Sequence, residues 1–198
     1  MNPFKILLAD GLPKRDADLE VRILQLFLKN SRKVNVNRLY MDQRRSAGTF
    51  KSKFVKMLGE GYYDIVHVCS HGTITRLDFQ KTKKDDVSFK CTEFKDIDFE
   101  CRLFFSTACE TGKTNRYRAN YFWEALGEKC NFFVGPTGDI KAENAIMFSF
   151  LFYYALFSMG RTRRLNARSI RWALQVAKNS VREWGWGARA RDFKMWQS

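Results

Sequence analysis

Two histidines and five cysteines are the residues of this chain best suited to nucleophilic chemistry. A cysteine attacks as its thiolate, and a histidine beside it can hold that thiolate near neutral pH. The reaction also needs hydrogen-bond donors for the oxyanion of a tetrahedral intermediate. His71 sits in the turn Ser70-His71-Gly72, and Cys109 sits in Cys109-Glu110-Thr111-Gly112; each turn follows an apolar run. Gly72 lets the backbone come close to a substrate, so the N–H groups of Gly72 and Cys109 are candidates for one oxyanion hole. An inert core thiol is the plain alternative for Cys109, and its position in a small-residue strand-end turn argues against it. Glu110 is a candidate for holding that turn, or is a solvated carboxylate.

His67 and Cys69 alternate with His71 and share a strand face with it. Ordinary sheet core is the plain reading for both. A metal site built on these three has no obvious fourth ligand, and the chain has no Cys-x-x-Cys pair, so no metal is expected.

The elements that must position these groups alternate in type. Residues 4–9 read as a buried strand ended by Asp10-Gly11, followed by a helix with Leu19, Ile23, Leu26 and Phe27 at helical spacing. A second strand spans 34–41. A second helix carries Phe50, Phe54, Met57 and Leu58. The third strand, 63–69, stops at His71. Residues 73–91 read as a hairpin with a charged tip at 80–86, and 93–99 as a helical turn or two. The fourth strand, 103–108, stops at Cys109. A short helix at 119–126, a fifth strand at 131–134 and helices over 141–159 and 166–184 follow. This alternation predicts an α/β fold, with a mostly parallel sheet and helices on both faces. In such folds ligands bind beyond the carboxyl ends of the strands, so His71 and Cys109 fall on one sheet edge.

The chain has 198 residues, 45% of them apolar and 28% charged, with 18 Phe. That composition suits a packed core and excludes global disorder, and the absence of a fixed repeat excludes solenoids. One domain over 1–198 is expected, with a basic C-terminal helix and tail at 161–198. The net charge of +14 is divided as +7 over residues 1–60, −1 over 61–160 and +8 over 161–198. The chemistry-bearing middle is near neutral, so the positive ends are expected to serve docking. The first residues lack a secretory signal and the cysteine count is odd, which predicts a cytoplasmic protein with free thiols. The seventeen uncharged residues 144–160 read as a buried helix, too short and too polar to span a membrane.

Residues 64–72, Asp-Ile-Val-His-Val-Cys-Ser-His-Gly, resemble the histidine segment of the CHAT family of caspase-like cysteine peptidases (clan CD). Residues 103–112, Leu-Phe-Phe-Ser-Thr-Ala-Cys-Glu-Thr-Gly, are similar to its cysteine segment, whose core reads Ser-Ala-Cys-Glu-Thr-Gly. Here Thr107 stands directly before Ala108, with Ser106 one step earlier. Residues 92–97, 131–152 and 173–177 resemble the family's flanking elements, so the likeness covers about residues 60–180. Two departures stand out. The family's usual Trp-Pro after the fifth strand is Gly135-Pro136-Thr137 here, and these 198 residues hold no repeat or sensor region.

The resemblance implies a caspase–haemoglobinase-like three-layer α/β/α sandwich with a β-hairpin insertion, and hydrolysis of peptide bonds in one or a few protein substrates. His71 is then the base, Cys109 the nucleophile, and Gly72 with Cys109 the oxyanion hole, with no cofactor. It also implies a separate sensor or activator protein in prokaryotic defence or cell death. Asp10 and Asp139 become candidates for binding the residue before the cut, where an acid favours Lys or Arg; a turn or cap role is the plain alternative. A catalytically silent module binding an acidic partner is the second functional reading. A nucleic-acid partner is a third, resting on Arg168, Arg171, Lys178 and Arg182 interleaved with Trp172, Trp184, Trp186 and Trp196.

Overall fold

The apolar run at the N-terminus is continuous because it is buried on both faces. In the computed structural model, which describes residues 3–12, 18–30, 34–41, 46–82, 84–159, 165–183 and 192–197, it forms strand β1 (Phe4–Asp10). Ile6 and Leu8 point into one core layer, and Leu7 and Ala9 into the other. Helix α1 (Asp18–Lys29), strand β2 (Val34–Tyr40), helix α2 (Ala47–Gly59) and strand β3 (Tyr62–Cys69) follow. A small antiparallel sheet comes next, made of β4 (His71–Thr73), β5 (Arg76–Thr82) and β6 (Asp85–Lys90), then a 3-10 helix at Cys91–Asp96. Strand β7 (Glu100–Ser106), helix α3 (Tyr121–Leu126), strand β8 (Cys130–Pro136) and helix α4 (Ala142–Tyr154), with a π-helical continuation at Ala155–Met159, lead to helix α5 (Ala167–Glu183) and strand β9 (Phe193–Gln197).

The main sheet runs β2-β1-β3-β7-β8-β9. Its first five strands are parallel, and β9 is antiparallel to β8. The strand order reverses between β1 and β3, the place where doubly wound sheets open a crevice. Helices α1, α4 and α5 cover one face; α2, α3, the 3-10 helix and the β5–β6 hairpin cover the other. The three-layer sandwich with a hairpin insertion is therefore as expected. Among the described residues no helix is long and apolar enough to cross a membrane.

Three details depart from the sequence reading. Strand pairing runs into the charged stretch 80–86, with Gln80 opposite Asp86 and Thr82 opposite Asp85, so the turn of the hairpin is shorter than that stretch. Strand β9 lies in a segment read as tail. It belongs to the sheet because Phe193 stacks on Phe148 (centroids 3.8 Å apart) on one face, while Trp196 packs on Phe133 (5.4 Å) on the other. Helix α1 is rotated relative to its apparent stripe: Leu19 and Leu26 are exposed, and Glu20 is buried with Val21, Leu24 and Leu28. The partners of Glu20 explain that rotation, as described next.

Candidate active site

Strands β3 and β7 are parallel neighbours, with Val68 opposite Ser106. The Thr107 N–H donates to Val68 O (3.0 Å), which carries the pairing one residue beyond β7. The two chains then diverge. One delivers His71, the exposed first residue of β4, and the other delivers the half-buried Cys109. Both side chains line one cavity of about 90 Å³, together with Glu20, Cys69, Thr107 and Ile140 among others.

The residues around Cys109 build its turn. The Thr111 hydroxyl reaches Ala108 O (2.9 Å) and Ser106 Oγ (3.1 Å), and Ser106 Oγ accepts from Ala108 N–H (3.2 Å). Glu110 takes a left-handed conformation (φ 58°), uncommon for a residue with a side chain. Its N–H donates to Gly138 O (3.2 Å), while its carboxylate pairs with Lys113 at the surface. Gly112 donates to Pro136 O (2.7 Å), and a Cβ there would lie 2.1 Å from Gly135 O, so only glycine fits. A Cβ on Gly72 would lie 2.8 Å from Ala108 Cβ and 3.3 Å from Cys109 O. The backbones of the two oxyanion-hole candidates are thus side by side.

The Cys109 thiol is held by the loop after β8: Ile140 N–H donates to Sγ (3.4 Å), and Sγ is 3.7 Å from Ile140 O. Burial pushes its pKa above the usual 9.0; the Ile140 N–H opposes this, and the nearby carboxylates of Asp139 and Glu110 add to it. In this state the thiol engages Ile140 and is protonated at neutral pH.

Of the two acids expected to bind substrate, Asp139 is exposed on the loop beside the thiol. Asp10 is 2% exposed, and its Oδ1 accepts from Leu12 N–H (3.3 Å), a turn-capping geometry. The carboxylate that reaches the cavity is Glu20, which sequence reasoning missed. Its Oε1 accepts from Ser149 Oγ (2.6 Å) and stands 3.2 Å from His67 Nε2, in ion-pair range but out of line for a hydrogen bond. Its Oε2 accepts from Cys69 Sγ (3.1 Å) and Thr107 Oγ1 (3.2 Å). On the far side, His67 Nδ1 is 3.1 Å from the Tyr153 hydroxyl. Desolvation pushes the Glu20 pKa up, but His67, Ser149 and Cys69 together outweigh it and hold the carboxyl below its ordinary value. Cys69 remains a thiol, since burial and Glu20 raise its pKa well above 9.0. An acid in the first turn of a helix reads as a solvated, dipole-favoured residue. The available signal was the buried histidine two residues before Cys69, which needed a polar partner. Among the described residues no group of three or more His, Cys, Asp or Glu could hold a metal ion.

No protein-family model matches the chain, and no curated protein matches it by sequence. Solved structures do match. The Arg-specific cysteine proteinase gingipain R superposes with a TM-score of 0.70 at 12% identity, over 98% of this chain and 46% of its own. Two structures of the separase–securin complex of Saccharomyces cerevisiae match with TM-scores of 0.58 and 0.61, each at 12% identity. They cover 100% and 99% of this chain, which spans 12% of the length of either separase chain. The fold is thus of the caspase–haemoglobinase type.

Proposed function

We propose that the chain is a cysteine endopeptidase of the CHAT type, in which His71 and Cys109 form the catalytic dyad. The observation that carries this reading is their convergence: two turns at the ends of adjacent parallel strands present the exposed imidazole and the half-buried thiol to one cavity. The likeness of the fold to a cysteine proteinase supports it. In the reaction, the Cys109 thiolate attacks the scissile carbonyl carbon, and the oxyanion is met by the N–H groups of Gly72 and Cys109. Collapse of the tetrahedral intermediate breaks the C–N bond while the protonated His71 gives its proton to the leaving amine. His71 then takes a proton from water, whose oxygen attacks the thioester and releases the acid product and the thiol.

The resting thiol supports a switched enzyme. It is bound to the Ile140 backbone and kept protonated, so an activating partner must move the 137–141 loop or draw in His71. We assign that role to a separate sensor or activator protein in a prokaryotic defence or cell-death pathway, within the reducing cytoplasm. The exposed Arg168, Arg171 and Arg182 of α5 suit an acidic surface on such a partner. The second reading is a catalytically silent module that binds an acidic protein or a nucleic acid through this face, favoured by the same charges and by half-exposed Trp172. Trp196 is not free to serve it, being packed on Phe133, and Trp184 and Trp186 lie outside the described residues.

The test is co-expression of wild type or Cys109→Ala with neighbouring gene products, followed by mapping of new protein N-termini. The expected outcome is a small set of fragments present only with wild type, and a rate about 10²–10⁴-fold lower in His71→Ala. Identical N-termini in both samples, with Cys109 labelling in the co-expressing cells unchanged by His71→Ala, would favour the silent module instead.

A further inference from the structure

Of the five cysteines, Cys69 is bonded to Glu20 and Cys109 to the Ile140 backbone, whereas Cys101 and Cys130 face each other across neighbouring strands. Their sulfurs are 2.7 Å apart. We infer that Cys101 and Cys130 are a redox pair, which a peroxide closes into a disulfide that staples β7 to β8. The pair is independent of the peptidase reading.

The strand register brings the two thiols together. Cys101 is directly opposite Cys130, and Leu103 opposite Phe132. The Cys101 N–H donates to Lys129 O (2.8 Å), which fixes the same alignment from the other side. Residues at one register of a parallel pair point to the same side of the sheet. Both cysteines do so, in the core layer that also holds Phe104 and Phe133. Neighbouring strands lie about 4.7–4.9 Å apart, and a disulfide spans a Cα separation of about 4.4–6.8 Å. The backbone therefore need not move for the bond to form. Burial, with Cys130 beside it, pushes the Cys101 pKa well above 9.0, so the resting pair is two thiols.

Both residues are 3% exposed, but each stands at the start of a strand, next to exposed Glu100 and Asn131. Strand ends open locally more readily than strand centres, and hydrogen peroxide is small enough to enter. One thiolate attacks a peroxide oxygen, the O–O bond breaks, and hydroxide leaves a sulfenic acid on that sulfur. The second thiolate attacks the sulfenic sulfur and expels hydroxide as the S–S bond forms. The two thiols lose two electrons and two protons, and the peroxide becomes two waters. Such a bond in a reducing compartment forms in response to oxidant rather than as a permanent brace. It joins residues 29 apart in sequence and so restricts the unfolded chain. It lies at the amino ends of the two strands whose carboxyl ends lead to the Cys109 turn and the Ile140 loop. The staple thus braces the support of the site without touching the site.

The test treats the purified chain with hydrogen peroxide, blocks free thiols with iodoacetamide and digests with trypsin without reductant. Cys101 and Cys130 fall in tryptic peptides 96–102 and 130–141, and Cys109 in 103–113, so the assignment is unambiguous. The expected product is peptide 96–102 joined to 130–141, two hydrogens lighter than their sum and separated by dithiothreitol. The oxidised chain should unfold about 5–10 °C above the reduced chain. Linkage and shift should persist in Cys109→Ala and vanish in Cys130→Ala, whose fold circular dichroism checks. The comparison of oxidised with reduced wild type stands without that variant. Peptides 96–102 and 130–141 left unlinked, crosslinks joining either cysteine to a different one, or a link that leaves the midpoint unchanged would overturn the inference. Failure of the peptidase reading would leave this result untouched.

Discussion

Cys109 is a thiol whose reactivity is set by its neighbours. Burial, Asp139 and Glu110 raise its pKa above 9.0, against the opposing backbone hydrogen bonds of Ile140 and of Cys109 itself. In the resting chain the thiolate fraction at neutral pH is therefore smaller than for a free cysteine. We expect the Cys109 alkylation rate to keep rising as the pH passes 9.0, with no plateau near neutrality, and to gain a plateau at lower pH once an activator is bound. A pH–rate series read by mass spectrometry checks this; a neutral plateau in the isolated chain would show that the dyad is already assembled. The resting thiol is bonded to the Ile140 backbone. His71 and Cys109 are two groups brought to one cavity.

At the scale of elements, the Glu20–His67 pair joins α1 to β3, and through Ser149, Thr107 and Tyr153 it reaches α4 and the turn after β7. Removing the carboxylate strips the buried Ser149 and Cys69 donors of their acceptor, and each buried donor left unsatisfied costs about 1–3 kcal/mol. Glu20→Ala should therefore lower the urea midpoint substantially, whereas Glu20→Gln, which keeps an acceptor for Ser149, should cost less. The carboxyl pKa is held below its ordinary 4.5 in the folded chain. Its contribution is thus fully present above the unfolded value and is lost as pH falls through the folded one. Urea midpoints measured on descending from pH 4.5 should fall more steeply in wild type than in Glu20→Gln; parallel slopes would mean that the carboxyl is not held low by folding.

For the whole molecule, the edge of the sheet beyond β8 is the point of exposure. Strand β9 covers it, anchored by fully buried Phe193 between Phe148 and Phe105. Phe193→Ala should cost about 3–5 kcal/mol and free an unpaired β8 edge, a template for association with other chains. Thermal unfolding with light scattering measures both consequences; an unchanged midpoint would show that β9 contributes little. Beyond the core, charge divides the molecule: a near-neutral middle carries the proposed chemistry, and the net positive charge is concentrated in the first and last stretches.

Much of this was legible in the sequence, for physical reasons. Runs buried on both faces must be continuously apolar, so β1, β3 and β7 announced themselves, and strand–helix alternation fixed the layers. The turns carrying His71 and Cys109 were visible because glycine and small residues mark sharp chain reversals wherever they occur. Glu20, by contrast, carries no local sign of burial. Its charge is tolerable inside only because His67, Ser149, Cys69 and Thr107, up to 129 residues away, converge on it. Strand β9 is likewise a sheet element only because β8 offers it an edge. Local periodicity and turn chemistry belong to the sequence alone; which polar groups find one another inside, and which carboxylate therefore faces the cavity, belongs to the tertiary structure, because desolvated charge is stable only where distant partners meet it.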